Sequence, residues 1–291
     1  MKLPLSRQDL RAMTDAGVTV VQPGIEALAS STLKLMGKGT TAFQNLQFLK
    51  NCAEFGIRPE WNLLIGFPGE DPAVYRKYAE ELRDFAHLIP PHGVYMVRFD
   101  RFSPYFKRSD EYGLSLKPVD YYALTYPFDE AALSDLAYFF ADQNLAEYML
   151  NAVERHDELS RLVAEWRAAW DGERGAELRL VADDDGGLAV RDSRSGVLRV
   201  HPVDAATGRL LRRLSSPAKP DQLARDWPEG PDDLSERLAD LAGHRFLFTE
   251  NGRVLSLVLT ESDDGSEEPS DEGAVGTGVR RLLPLLSEAS R

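Results

Sequence analysis

The chain has few of the residues from which disulfides, metal clusters and nucleic-acid surfaces are built. Cys52 is the only cysteine among 291 residues, so neither a disulfide nor a cysteine-ligated cluster can form from this chain alone. Lysine and arginine total 34 against 47 acidic residues, which disfavours nucleic-acid binding because phosphates are neutralised by clustered basic side chains. No apolar run reaches membrane-spanning length and no apolar signal core is present, so we expect a cytoplasmic protein with no membrane partner.

The remaining composition is that of a soluble globular protein. Hydrophobic residues make up 43% of the chain and charged residues 28%, which is enough apolar material for a sizeable core. Much of the net charge of −13 is local, because residues 261–272 read ESDDGSEEPSDE without a basic side chain. Residues 261–291 are therefore predicted to be an acidic, disordered tail.

Two glycine-containing segments stand out, and each follows a short apolar run. The first begins at Gln22 as QPGIE and continues to GKGTT, and the second begins at Trp61 as WNLLIGFPGE. Each reaches a carboxylate, Glu26 or Glu70, and a helical pattern follows. This arrangement is typical of a β/α unit that presents a ligand-binding loop at the carboxyl end of a parallel strand. Two successive units predict a shared sheet with a site at its edge.

Capping residues and hydrophobic periodicity predict an α-β-α-β-α-β order in the first half of the chain. Ser6 is expected to cap the first helix, and Thr40 or Thr41 is expected to cap a later one that ends at Gly56. The expected strands are Val18–Val21, Trp61–Ile65 and Val94–Phe99, and their apolar character suits a parallel sheet covered on both faces. Residues 130–170 are expected to form two longer helices, the first with Tyr138, Phe139 and Phe140 at its apolar centre.

The sequence pattern changes near residue 175, from helical periodicity to alternating apolar and polar residues. An alternating segment is expected to turn at Asp185-Gly186-Gly187, and another short strand and two or three short helices follow. A last hairpin turns at Glu250-Asn251-Gly252. This order predicts a small winged-helix-like α+β module over residues 175–260. DNA binding by the module is disfavoured because residues 231–243 are acidic. The predicted organisation is an α/β domain at 1–128, a helical connector at 129–174, the module and the tail.

The first half resembles radical SAM enzymes. QPGIEAL, LKLMGKGTT and LLIGFPGED look like the motifs of the fourth and fifth strands of their barrel. The words WNLLIGFPGE, HLIPPHG, RFDRFSPYF and LAYFF are similar to those of the cobalamin-dependent radical SAM C-methyltransferases that modify ribosomally made peptides (RiPPs). The resemblance implies the second half of a parallel (β/α) radical SAM barrel. The family's CxxxCxxC motif and cobalamin domain do not occur in this sequence, so we expect the carboxyl-terminal part of such an enzyme.

The resemblance also implies binding residues for S-adenosylmethionine. The first segment would line the adenosyl ribose, the second would pack on the adenine, and Lys38 would bind the methionine carboxylate. The implied cofactor-binding residues are Gln22, Gly24, Glu26, Lys38, Gly66, Gly69 and Glu70. Ordinary roles stay open for them: Glu26 and Glu70 as capping or turn carboxylates, and Lys38 as a solvated side chain.

The aromatic segment after the third predicted strand is a candidate substrate contact. Arg98, Arg101 and Tyr105 would line a peptide channel or face the cobalamin, with core packing as the alternative. No residue is assigned a catalytic or metal-binding role. His87 and His92 flank Pro90-Pro91 at a spacing that is not a persuasive metal motif, and we interpret both as structural.

For a full-length relative, the resemblance implies reductive cleavage of S-adenosylmethionine at a [4Fe-4S] cluster, hydrogen abstraction from a peptide carbon, and methyl transfer from methylcobalamin. The implied partners are a precursor peptide, with its leader and core, and a separate polypeptide carrying the cluster-binding half. We expect this chain alone to bind no iron. Two alternatives remain: a non-catalytic peptide-binding remnant or partner subunit, and another radical SAM reaction such as tRNA methylthiolation, which the acidic charge disfavours.

Overall fold

A computed structural model describes residues 5–172, 175–182 and 186–260. The predicted tail at 261–291 and Asp185 of the predicted Asp185-Gly186-Gly187 turn lie outside the described residues. The first group of elements is α1 (Arg7–Asp15), β1 (Val20–Val21), α2 (Ser30–Leu35), α3 (Ala42–Phe55), β2 (Arg58–Pro59), β3 (Leu63–Ile65), α4 (Ala73–Glu81), a 3₁₀ turn (Leu82–Phe85) and β4 (Val94–Met96).

Local sequence explains where the first helices begin and end. Ser6 caps α1 in a capping box with Asp9, and Thr41 caps α3 in the same way with Gln44. Gly56 ends α3 with a φ of 67°, a left-handed conformation that glycine adopts without a steric penalty. These helix starts and this helix end agree with the predictions from the sequence.

Three chain segments run side by side in this group, and the middle one contains both β2 and β3. β1 pairs in parallel with β2 on one side of it, and β4 pairs in parallel with β3. The amide of Leu64 also donates to the carbonyl of Glu26 at 2.9 Å. The segment that contains β1 therefore stays beside the middle segment as far as β3. The two glycine-containing loops therefore leave neighbouring segments at the same end, although β1-β2 and β3-β4 form two separate two-stranded sheets and not the single predicted one.

These parallel segments are covered on one face only. Val21, Leu63 and Val94 are buried in the core with α3 and α4, whereas Val20 and Tyr95 are 52% and 50% exposed. The expectation of a sheet covered on both faces is wrong for the described residues. The expectation was based on the apolar character of the strands. Val20 and Tyr95 do favour strands, but they lie on the uncovered face.

The second group is β5 (Phe99–Asp100), α5 (Pro104–Lys107), a 3₁₀ turn (Ser109–Tyr112), β6 (Leu116–Pro118), α6 (Tyr121–Thr125), α7 (Glu130–Leu136) and β7 (Phe139–Asp142). The strands form an antiparallel sheet in the order β5-β7-β6. A separate small core lies beneath this sheet, and it includes Phe99, Tyr122 and Phe140.

The prediction of two long helices over residues 130–170 is wrong for the first of them. α7 ends at Leu136, and Phe139 and Phe140 belong to β7, where Phe140 lies opposite both Phe99 and Pro118. Aromatic residues favour strands when flanking strands are there to pair with them. The second helix, α8 (Glu147–Asp171), is present and buries Trp166 among its core residues.

The third group is β8 (Leu178–Ala182), β9 (Leu188–Asp192), β10 (Arg199–Val203), α9 (Ala205–Arg213), α10 (Pro220–Arg225), α11 (Pro231–Gly243), β11 (Leu247–Glu250) and β12 (Arg253–Ser256). β8, β9 and β10 form an antiparallel sheet with β9 in the centre. Asn251 and Gly252 have φ values of 51° and 69°, which a tight hairpin between β11 and β12 requires.

The third group packs onto α3 and α4 of the first group. Phe248 of β11 meets Phe43 and Phe85 with ring centroids 5.1 and 6.2 Å apart, inside one continuous apolar cluster. Polar ties accompany this contact, because the Lys50 ammonium donates to the Ser256 carbonyl and the backbone amide of Ser30 donates to Glu250 at 3.1 Å. None of the described helices is both long and apolar enough to span a membrane.

Candidate functional site

A groove of about 600 Å³ lies on the uncovered face of the parallel segments. Two neighbouring segments of the chain, residues 20–26 and 60–64, contribute most of its lining, and His92 adds to it. It is lined by Val20, Val21, Gln22, Pro23, Glu26, Glu60, Trp61, Asn62, Leu64 and His92. Gln22 and Glu26 are the two predicted cofactor-binding residues among these.

Glu26 occupies a backbone conformation that is rare for a side-chain-bearing residue. Its φ is 56°, and the amide of Ala27 donates back to the carbonyl of Ile25 at 2.6 Å. This closes a γ-turn of the strained kind around Glu26. Strain of this type persists where surrounding contacts enforce it, and it clusters at binding sites. The turn directs the carboxylate toward the groove.

Lys38 is the immediate partner of Glu26. Its Nζ lies 2.7 Å from Oε2 of Glu26, and both side chains are 31% exposed. The flanking Gly37 and Gly39 have φ values of 65° and 71°, so the turn that presents Lys38 requires glycine on each side. Gly24 faces the same ammonium, which lies 3.4 Å from the position that a Cβ on Gly24 would occupy. The structure thus brings the first-segment residues and Lys38 together.

Glu70 is buried in the second loop and orders it. Its carboxylate accepts hydrogen bonds from Thr32 Oγ1 at 2.5 Å, the Gly66 amide at 2.9 Å and the Tyr75 hydroxyl at 2.6 Å. The amide of Phe67 donates at 3.2 Å as well. Burial, followed by the hydrogen bond to Glu70, raises the pKa of Tyr75. These four bonds occupy the carboxylate inside the loop, so Glu70 acts on any ligand through the loop conformation.

Backbone conformation and close packing explain why glycine occupies positions 66 and 69 of the second loop. Gly66 has a φ of 82°, and a Cβ there would lie 3.0 Å from Met96 Cε and 3.2 Å from Ala152 Cβ. Gly69 has a φ of 79° in the following turn. Gly66 therefore lets β3 end directly against β4 and α8, which a larger residue would prevent.

We expect Glu70→Gln to destabilise the protein by about 2 kcal/mol, because its amide group would face donors that now meet a carboxylate. Urea denaturation followed by circular dichroism measures the change. Asp71→Asn is the matched control, since Asp71 is exposed and its carboxylate accepts from the amide of Ala73 at 2.8 Å in an exposed hydrogen bond. Equal stability of the Glu70→Gln and Asp71→Asn proteins would contradict the assignment.

Glu60 and His92 also line the groove, although the sequence analysis did not single out Glu60 and interpreted His92 as structural. His92 Nε2 lies 2.7 Å from one Glu60 oxygen, and Arg58 Nε donates to the other at 3.0 Å. Partial burial acts to raise the pKa of Glu60, but the hydrogen bonds from Arg58 and His92 outweigh it and hold that pKa below its usual range. The available signal was alternation: Glu60 and Asn62 flank the buried Trp61 and so face away from the core.

The three predicted substrate residues are not brought together in the groove. Arg98 pairs with Asp100 at 2.8 Å and lies 3.6 Å over the Phe139 ring. Arg101 donates to the carbonyl of Ala137 at 2.6 Å and also to that of Ser134. Both arginines therefore hold the second group together.

Tyr105 alone of the three reaches the binding loops. Its hydroxyl donates to the carbonyl of Leu35 at 3.3 Å, and its ring lies 6.4 Å from that of Phe67. Burial raises the pKa of this hydroxyl to about 12. Tyr105 thereby connects the second group to the end of α2 and to the second loop.

The iron-sulfur cluster implied by the resemblance does not fit the residues of this chain. Cys52 is fully buried on α3, and burial raises its pKa to about 12, which disfavours the thiolate that a metal needs. Within residues 5–172, 175–182 and 186–260, no group of three His, Cys, Asp or Glu side chains is placed to hold a metal ion. No step through iron or cobalamin is therefore assigned to these residues.

Comparison with known proteins gives one short similarity. The chain is 35% identical over 60 residues to an uncharacterized methyltransferase of Pyrococcus horikoshii, and the match covers 21% of this chain and 13% of that protein. No family model matches, and no solved structure matches. The similarity supports a methyltransferase-like relationship for part of the chain. Since it spans about an eighth of the relative, that protein's full activity does not transfer.

Proposed function

We propose that this chain is the carboxyl-terminal part of a radical SAM C-methyltransferase of ribosomal peptide maturation, and that Glu26 is its main contact to S-adenosylmethionine. The observation that carries the proposal is the strained turn that directs the Glu26 carboxylate to a groove beside Lys38. The methyltransferase-like relationship supports the same class of chemistry.

In this proposal the groove residues bind and orient the adenosyl ligand. The Glu26 carboxylate accepts hydrogen bonds from the ribose hydroxyls, and the Gln22 amide offers a further polar contact beside it. The Lys38 ammonium turns from Glu26 to the methionine carboxylate, exchanging one charged partner for another. Glu70 keeps the loop at Gly66 and Gly69 in place for the adenine.

The remaining parts of the enzyme would come from a separate polypeptide. β1 pairs only with β2 among the described strands, so its other edge is open beside the uncovered face. An open edge of this kind accepts another chain. We propose that a polypeptide carrying the [4Fe-4S] and cobalamin sites adds its strands there and completes a barrel whose second half is residues 1–128.

The module at 175–260 is proposed to recognise the leader of the precursor peptide. β10 is at the edge of its sheet, and neighbouring Val197 and Val200 are 64% and 57% exposed. An extended peptide can add to such an edge as a further strand. Pro202 has no amide donor, so pairing would rely on residues before it.

A non-catalytic peptide-binding subunit is the competing function, and the lone buried thiol of Cys52 favours it. Binding of S-adenosylmethionine discriminates between the two. We expect the purified chain to bind S-adenosylmethionine in isothermal titration calorimetry. We expect Glu26→Gln to lower the affinity about thirtyfold, since a hydrogen bond to a charged group contributes about 2 kcal/mol.

The matched control is Glu130→Gln, which removes another carboxylate paired with a lysine, at 2.8 Å from Lys117 and outside the groove. Equal affinities of the Glu26→Gln and Glu130→Gln proteins would reject Glu26 as the contact. Absence of binding by the unmodified chain would favour the non-catalytic subunit. Co-expression with a polypeptide carrying CxxxCxxC and a precursor peptide then tests the reaction by a mass gain of one methyl group.

A further inference from the structure

Asn45 is a polar side chain inside the apolar face of α3. It is fully buried, as are its helix neighbours Leu46 and Leu49. Burying an amide among apolar side chains is unfavourable unless the amide is hydrogen-bonded. Its position on α3 therefore calls for a specific partner.

That partner is the turn around Glu26. The Nδ2 group of Asn45 donates to the carbonyl of Ile25 at 3.1 Å and to that of Ala27 at 2.8 Å, the two carbonyls that flank Glu26. The opposite amide orientation would set its oxygen against two carbonyl oxygens, so the hydrogen-bond pattern assigns the orientation. The Asn45 oxygen is itself buried, and no described residue donates a hydrogen bond to it.

Two further contacts hold the same stretch of chain. The Glu26 carbonyl accepts from the Leu64 amide at 2.9 Å, and the Leu28 amide donates to the Tyr78 hydroxyl at 3.2 Å. Neither contact bridges the two sides of Glu26. The Ala27 amide does so within the turn, through its hydrogen bond to the Ile25 carbonyl. Asn45 adds a bridge from α3, because its two bonds clamp the carbonyls before and after the residue with positive φ.

We infer that Asn45 is a positioning residue, whose double hydrogen bond keeps Glu26 in its left-handed turn and so presents the Glu26 carboxylate to the ligand. Without the clamp, a glutamate favours negative φ, and relaxation would turn its side chain away from Lys38. The inference rests on the proposed function, because the ligand contact of Glu26 is part of that proposal.

The binding experiment compares Asn45→Leu with Asn51→Leu by titration with S-adenosylmethionine. Asn51 is also a buried asparagine of α3, but its Oδ1 accepts from Arg7 at 3.3 Å and it has no bond to the Glu26 turn. We expect about a tenfold loss of affinity for Asn45→Leu and unchanged affinity for Asn51→Leu. Equal affinities in both variants would overturn the inference.

A second measurement does not depend on the ligand. Glycine adopts positive φ without strain. In a Glu26→Gly chain, the two Asn45 hydrogen bonds are therefore less important for keeping the turn in its conformation. We expect Asn45→Leu to lower the melting temperature by about 6 °C with Glu26 present and by about half as much with Gly at that position. Equal losses in both backgrounds would overturn the inference.

This design separates the two proposals. If the unmodified chain binds no S-adenosylmethionine, the proposed function fails, while the melting-temperature comparison still tests the clamp. If Asn45→Leu does not fold with Glu26 present, restored folding in the Glu26→Gly chain supports the clamp. Failure to fold in both backgrounds overturns it.

Discussion

Lowering the pH from 7 to 4 is expected to remove about 3 kcal/mol of unfolding free energy through His87 alone. His87 is 2% exposed, its Nε2 lies 2.9 Å from the Leu257 carbonyl, and its Nδ1 has no hydrogen-bond partner among the described residues. Burial above all, and then the nearby Arg194 charge, lowers the pKa of His87 from 6.5 to about 3.

The direction of this effect follows from proton binding in the two states. The unfolded chain takes up a proton at His87 below about pH 6.5, whereas the folded protein does so only near pH 3. Between these values the unfolded state binds more protons, so stability falls as the pH falls. Above pH 6.5 both states carry neutral His87, and its pH-dependent contribution is constant.

Urea denaturation at several pH values measures the effect. His87→Gln keeps a donor for the Leu257 carbonyl but does not titrate, so its stability should fall by about 3 kcal/mol less between pH 7 and pH 4. His156→Gln is the control, because the His156 side chain on α8 is 38% exposed whereas that of His87 is buried. An identical pH profile for the His87→Gln and unmodified proteins would show that His87 is not the acid-sensitive group.

Phe248→Ala is expected to destabilise the protein by about 4 kcal/mol. The ring is 2% exposed and lies between Phe43 of α3 and Phe85 beyond α4, with Lys77 Nζ 4.3 Å from its centroid. Truncation leaves a cavity where the third group meets the first. The neighbouring Glu250, which holds the start of α2 through Ser30, loses its support as well.

Guanidinium denaturation gives the stability change, and limited proteolysis near residue 174 reports whether the third group separates. The matched control is Phe102→Ala, because the Phe102 side chain is 64% exposed. We expect a change below about 1 kcal/mol for that control. A similarly small change for Phe248→Ala would mean that this aromatic contact does not hold the third group in place.

Much of the candidate site could be predicted from local sequence. Glycine, proline and a carboxylate after a short apolar run predict the end of a strand. Two such motifs in succession predict neighbouring segments. The binding roles of Gln22, Glu26 and Lys38 were implied by the resemblance to radical SAM enzymes. Asn45 and Glu60 were not found, and His92 was interpreted as structural, because each acts through a residue that is distant in sequence or lies on a face that only burial defines.

The two sides of the parallel segments illustrate a similar division. Val20 and Tyr95 are residues that favour strands, and their sequence context does not say which face they occupy. Phe139 and Phe140 fit a helix as well as a strand, and pairing of β7 with β5 and β6 decided between the two. Short apolar runs are ambiguous because pairing partners contribute as much as local preference.

By itself, the sequence determined the capped helix starts at Ser6 and Thr41, the glycine-dependent turns and the tight hairpin at Asn251-Gly252. These features depend on backbone φ and on hydrogen bonds within a few residues, so local chemistry specifies them. Tertiary structure alone decided that Glu26 meets Lys38, that Asn45 clamps the Glu26 turn, and that one face of the parallel segments is uncovered. Those outcomes depend on contacts between residues that are distant in sequence, and on which surfaces those contacts bury. Only the folded structure specifies them.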